Sequence, residues 1–266
     1  MGHETLVNGF IERDLNAGII IEPARRREKV KDALLHAVKT HSPSIAVKIG
    51  VGEGDLALLL ASKVKRLIIV EPSFAAIERF NSVYGSSSEM KRIELVNGTF
   101  SALPLDYFKI DMVVVVDYLD LADSYRAVDE IGRALRFEGI LFFGGVVLSD
   151  DDVEGIYDEF IHSLNPFHND YYLKTDLDTF MKLKDFTLID SRNFKTKLHL
   201  PEWLSAWKNY ASDGSDENKG RSVLSANEDA FRSLYHWNGS DELDEIYCTA
   251  VFRKNKYSET EAKSQR

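Results

Sequence analysis

Residues Ile45 to Ala61 read IAVKIGVGEGDLALLLA, and the fold turns on how this stretch divides. IAVKI is short, apolar and β-branched, as a buried strand requires. GVGEG places glycines at 50, 52 and 54, and DLALLLA continues as an apolar helix. A strand, a glycine loop and a helix in succession open a parallel α/β sheet, and the loop lets a ligand lie against bare backbone. Lys48, immediately before the glycines, is the unexpected residue.

The same alternation extends along the chain. The spacing predicts a helix after Glu22, over PARRREKVKDALLHAVKTH, with Val30, Leu34, Ala37 and Val38 on one side. Strands are expected at 44–50, 66–71, 92–98, 111–119 and 139–147, and helices at 55–64, 73–85 and 124–136. RLIIVE and DMVVVVDYL are near-continuous apolar runs, the pattern of strands covered on both faces. Strands alternating with helices predict an α/β protein with a doubly wound, mostly parallel sheet and helices on both faces. Beyond it, helices are expected at 150–164, 176–186, 201–212 and 227–237, and strands at 186–200 and 244–254. SDGSDENKGRS (212–222) reads as a polar loop. This organisation gives an N-terminal helical segment over 1–43 and a main domain over 44–254. Helices are inserted at about 150–238, and a disordered polar tail is expected over 255–266.

The 266 residues carry a net charge of −10, which argues against a nucleic-acid partner. The run Arg25 to Arg27 reads as the solvated face of the first helix. The one cysteine excludes an internal disulfide framework. No apolar run approaches the ~18 residues of a membrane span. The expectation is a soluble, cytoplasmic protein with no membrane partner, and the sequence carries no signal for an oligomeric state.

The glycine pattern is G-x-G-x-G, whereas the dinucleotide fingerprint needs its third glycine at position 55, where this chain has Asp55. Glu53 and Asp55 lie where a pyrophosphate would dock on the helix N-terminus. Glu71 closes the second strand, 17 residues beyond Gly54, where a carboxylate accepts from ribose hydroxyls. Ribose recognised and phosphate disfavoured points to S-adenosylmethionine.

KIGVGEG, LIIVEPS, VNGTFSALPL, KIDMVVVVDYLDL and IGRALRFEGILFFG together resemble the successive motifs of class I S-adenosylmethionine-dependent methyltransferases, across about Ile45 to Val147. The resemblance implies a Rossmann-like sheet of seven strands with an antiparallel last strand, and methyl transfer to a small-molecule acceptor. It assigns Gly50, Gly52 and Gly54 to the cofactor backbone contact, Glu71 to the ribose, and Pro72 and Ser73 to the adenine edge. Thr99 and Phe100 would meet the base, and Asp117 and Tyr118 would border the transferred methyl. Lys48 stands where the family has an acid that helps hold the methionine end. A like-charge pair at ~4 Å and an effective dielectric near 20 costs about 4 kcal/mol, so Lys48 must turn away, pair with a carboxylate such as Glu53 or Asp117, or bind the cofactor through the carboxylate of its methionine part. Thr99 stands where the family often has an acid.

Other candidates have simpler readings. Asp150 to Asp152 read as a helix cap rather than a metal site. His162, His168, His199 and His236 form no His-x-x-x-His pair, so no metal is expected. Trp203, Trp207 and Tyr210 read as a core stripe, and NPFHNDYYL (165–173) as either a cover over the cleft or a connecting loop. A catalytically inactive binding or scaffold protein, a protein methyltransferase and a nucleotide-dependent oxidoreductase are the alternatives.

Overall fold

The computed structural model describes residues 24–165, 168–201, 204, 215–239 and 241–256. The first 23 residues, Trp203, Trp207 and Tyr210 of the aromatic stripe, and the tail from 257 lie outside the described residues. The sheet has seven strands: β1 (Ile45–Ile49), β2 (Arg66–Glu71), β3 (Ile93–Asn97), β4 (Ile110–Val116), β5 (Leu135–Val146), β6 (Phe186–His199) and β7 (Glu242–Lys254). Their spatial order is β3-β2-β1-β4-β5-β7-β6. β3, β2, β1, β4 and β5 are parallel, and β7 enters antiparallel between β5 and β6. The antiparallel final strand is as the family resemblance implies.

Alternation along each central strand sorts side chains into two cores. Ala46, Leu67, Ile69, Met112, Val114 and Phe142 face one side; Val47, Ile68, Val70, Val113, Val115 and Leu141 face the other. The first side is covered by α1 (Ala24–His41), α2 (Asp55–Ala61) and α3 (Phe74–Tyr84). The second is covered by α4 (Ser124–Ala134), through Ala127, Val128, Ile131 and Ala134, and α6 (Lys174–Leu183). α5 (Ile156–Leu164), α7 (Ser215–Ala226) and α8 (Glu228–Tyr235) extend the first core.

Three of the boundaries that differ from the sequence reading have a visible cause. β4 ends at Val116, because Asp117 takes a left-handed φ of 56° and a short 3₁₀ turn follows at Leu119–Leu121. β5 begins at Leu135, where Leu135 already pairs with Ile110, so α4 stops at Ala134. The polar stretch expected as a loop at 212–222 is helical from Ser215. Gly220 explains how: a Cβ there would lie 2.8 Å from the Leu164 side chain, so α7 packs tightly on α5 through its lack of one.

The chain order reverses at β1, with β2 and β3 on one side of it and β4 and β5 on the other. That switch point puts the glycine loop after β1 beside the turn after β4, where open α/β sheets bind ligands.

Candidate functional site

The glycine loop is held from both ends. Gly50 has φ 73° and Gly54 φ 93°, conformations that side chains seldom adopt. The Gly50 amide donates to the Val70 carbonyl (2.8 Å), tying the loop to β2. The Val51 amide donates to Oε2 of Glu71 (2.9 Å), and the Ser73 amide to Oε1 (2.8 Å). Glu71 is fully buried, and the Tyr118 hydroxyl also hydrogen-bonds its carboxylate. Burial pushes the Glu71 carboxyl above its ordinary range, against the amides of Ser73 and Val51 and the charge of Lys48. Asn97 steadies the following turn by donating to the carbonyls of Glu71 (3.1 Å) and Pro72 (2.9 Å). Ser73 is buried, and its hydroxyl accepts from the Ala76 amide as the cap of α3.

Lys48 does not pair with Glu53 or Asp117. Its Nζ turns under the loop and donates to the Gly50 carbonyl (2.6 Å), with Glu71 as its nearby counter-charge. The side chain is 3% exposed, so its ammonium is a strut beneath the loop. Glu53 is taken by Arg27, and Asp117 by Arg26 at 2.6 Å.

Tyr118 lies on the loop from above. A Cβ on Gly50 would lie 2.2 Å from its Cζ and 2.4 Å from its hydroxyl. Phe100 is buried and meets the Tyr118 ring edge-on at 5.4 Å. Thr99 is half-buried and pairs its backbone with Ala102. Tyr84, which sequence reasoning missed, does for Gly54 what Tyr118 does for Gly50: a Cβ on Gly54 would lie 2.2 Å from its ring, and its hydroxyl donates to the Glu53 carbonyl (2.7 Å).

The start of α1 roofs this edge. Arg26, read from sequence as solvated, is instead half-buried between Asp117 and Glu245 (2.9 Å), with its guanidinium 4.3 Å from the centre of the Tyr247 ring. Tyr157 donates to the second oxygen of Glu245 (3.2 Å). Burial disfavours the charged guanidinium, but Asp117 and Glu245 outweigh it and hold its pKa well above the ordinary value. Lys31 pairs with Asp55 (2.6 Å), whose other oxygen accepts from the Leu56 amide. Arg27, Lys31, Glu53 and Asp55 thus close one side by charge.

On the far side of the β4 turn, His168 lies between two carboxylates. Its Nε2 is 2.7 Å from Asp158 and its Nδ1 3.4 Å from Asp120. Burial alone would lower this imidazole, but hydrogen bonds and charge from Asp120 and Asp158 raise it to about 9. Asn169 fixes the same segment to the turn by donating to the carbonyls of Asp120 (2.7 Å) and Ala122 (2.8 Å). The aspartate run before α5 acts through Asp152, which accepts from the Ile156 and Tyr157 amides (2.8 and 3.0 Å).

A cleft of about 960 Å³ opens at the opposite, amino-terminal edge of the strands, lined by Lys39, Ser42, Lys63, Lys65 and Arg92. It presents no carboxylate and lies away from the glycine loop, so it is not the nucleoside site.

Residues 47–143 match the family described as "Methyltransferase domain". Among solved structures, the YcgJ protein of Bacillus subtilis superposes with a TM-score of 0.75 at 17% identity, over 85% of this chain and 99% of that one. A geranyl diphosphate methyltransferase in complex with S-adenosylmethionine gives a TM-score of 0.58 at 12% identity, over 84% of each chain. The [4+2]-cyclase SpnF gives 0.60 at 14%, over 86% of this chain and 81% of that one. No curated protein matches the sequence. At these identities the structural likeness establishes the fold, and the family match over 47–143 adds the reaction class. Residues 47–143 match a methyltransferase domain, whose cofactor is S-adenosylmethionine, within a sheet that superposes on the structures above.

Proposed function

We propose that the protein transfers the methyl group of S-adenosylmethionine to a small-molecule acceptor. The observation that carries this reading is the buried Glu71 carboxylate, held by the Val51 and Ser73 amides beside left-handed Gly50 and Gly54. That arrangement suits ribose hydroxyls against bare backbone, with Glu53 and Asp55 disfavouring phosphate. The cofactor supplies the reactive methyl, and the protein binds, orients and excludes water. Gly50, Gly52 and Gly54 admit the cofactor to the backbone, while Pro72, Ser73, Thr99 and Phe100 border the base. Lys48 holds the loop from below rather than facing the cofactor's amino group. Tyr118 swings off Gly50 as the nucleoside enters and then walls the acceptor pocket. Asp117 holds Arg26 through Oδ1 and, with Tyr118, borders the transferred methyl.

The roof also supports a small acceptor. Arg26 and Arg27 tie α1 to the ligand edge, which narrows that edge and favours a small acceptor over a macromolecule. Among the described residues no helix is long and apolar enough to cross a membrane. Cys248 is buried, and burial pushes its thiol up to about 12, so it is a poor nucleophile.

Calorimetric titration of the full chain with S-adenosylhomocysteine tests the reading. One binding site is expected, and Glu71→Gln should weaken it by about 1–3 kcal/mol. Absence of heat at millimolar ligand would leave the inactive scaffold, for which Tyr118 on Gly50 is the supporting observation. Labelled methyl recovered on protein rather than on small amines, phenols or carboxylates would replace the acceptor class.

A further inference from the structure

Asp158 and His162 lie four residues apart on α5, so their side chains leave the same helix face one turn apart. The segment after the helix brings His168 back against that face. Nε2 of His168 is 2.7 Å from Oδ1 of Asp158, and Nε2 of His162 is 3.4 Å from Oδ2. One ligand atom from each of the three residues lies within 4.8 Å of the others, the one such grouping among the described residues. Zn²⁺ bonds of ~2.0–2.1 Å at tetrahedral angles place neighbouring ligand atoms about 3.3 Å apart. The two measured separations reach different oxygens of Asp158, so a rotation of its carboxylate that presents one oxygen to both imidazoles, together with a contraction from the 4.8 Å limit, completes the set.

The surroundings also suit a metal. The His168 side chain is fully buried, and its remaining nitrogen, Nδ1, faces Oδ2 of Asp120 at 3.4 Å. An outer carboxylate on the second nitrogen fixes the tautomer that offers Nε2 to a metal. The Tyr171 amide donates to Oδ1 of Asp158 (2.7 Å) and holds that carboxylate in place. His162 is 43% exposed, so the cluster opens to solvent on one side. Two imidazoles, one carboxylate and an open position make a three-ligand zinc set.

We propose that Asp158, His162 and His168 bind one Zn²⁺ ion, with water in the fourth position and Asp120 orienting His168. The metal takes the place of the proton now shared by His168 Nε2 and Asp158, and that proton leaves to solvent. No electron transfer is involved. The bound ion ties α5 to the segment at 168–171, and through Asp120 to the turn after β4.

The test is titration of chelator-stripped full-length protein with Co²⁺ as a coloured surrogate, followed by displacement with Zn²⁺. One equivalent should bind, with the visible absorption of a tetrahedral site and release of about one proton. Asp120→Asn should weaken binding about tenfold, as the loss of an outer-shell partner does. His162→Ala, at the surface and therefore the least disruptive ligand change, should weaken it by more than about 100-fold. His36→Ala, an exposed histidine elsewhere on α1, should change nothing. The absence of a one-equivalent absorption change, or unaltered binding in His162→Ala with its circular dichroism intact, would overturn the proposal. Asp158→Asn, which keeps the side chain's size, provides a second ligand variant if His162→Ala does not fold.

Discussion

The Tyr118 ring occupies the space that a side chain on Gly50 would need, with a Cβ there only 2.2 Å from its Cζ. The same phenol hydrogen-bonds Glu71. One side chain therefore covers both the glycine backbone and the carboxylate that a nucleoside would use, and the two ligands compete for one place.

Tyr118→Phe should consequently raise affinity for S-adenosylhomocysteine. Losing the hydroxyl removes a hydrogen bond to a charged group that favours the covered arrangement by about 1.5–3 kcal/mol. Part of this returns as an unmet Glu71 oxygen, so a gain of about tenfold or less is expected in calorimetry. Equal or weaker affinity in the variant would show that Tyr118 does not oppose the cofactor.

Lys48→Met tests the strut beneath the loop. The substitution retains most of the buried stem and removes the donor to the Gly50 carbonyl. A loss of about 1–3 kcal/mol in urea denaturation is expected, because that carbonyl is left without its charged partner and Glu71 without its counter-charge. A change below about 0.5 kcal/mol would return Lys48 to the status of a tolerated accident.

The first strand is anchored by Asp111, whose Oδ2 accepts from the Ser44 and Ile45 amides (2.9 Å each) while Arg136 pairs with Oδ1 at 2.6 Å. Burial would raise this carboxyl, but those amides and Arg136 outweigh it and hold it below the ordinary aspartate value. A depressed acid contributes stability that is fully present above its unfolded value and is lost as pH falls through the lower folded value. Wild type should therefore be more stable than Asp111→Ala at neutral pH. That difference should persist down to about pH 4 and narrow only below it, read from urea midpoints across the acid range. A difference that narrows between pH 7 and 5 would point to another group.

The sheet was legible because its central strands are buried on both faces, which leaves runs such as RLIIVE and DMVVVV with little polar interruption. The glycine loop and Glu71 were legible because backbone approach and ribose recognition restrict residue type. α7 was hidden, since SDENKG is solvent-facing in composition, while Gly220 and Leu224 are buried and Val223 packs against the core. The Asp158–His162–His168 group was hidden by a search for histidine pairs alone; Asp-x-x-x-His on a helix carries the same geometry. The roof was hidden for a different reason. A run of arginines on a helix looks solvated until its carboxylate partners, 91 and 219 residues away for Arg26, are brought together by the fold.

Arg26 gives the sharpest test of that roof. It bridges Asp117 and Glu245, lies over Tyr247, and neutralises a fully buried glutamate whose own pKa burial raises. Arg26→Met removes the charge and leaves Glu245 and Asp117 facing each other. Breaking one partner of a buried ion pair costs about 3–5 kcal/mol, and that loss is expected in thermal or urea unfolding. Pairing the change with Glu245→Gln should recover part of it, because the second substitution removes the charge that the first left uncompensated. If the double variant is instead as unstable as the sum of the two single changes, Arg26 holds α1 by packing on Tyr247, and the charges at this edge do not determine how the site is closed.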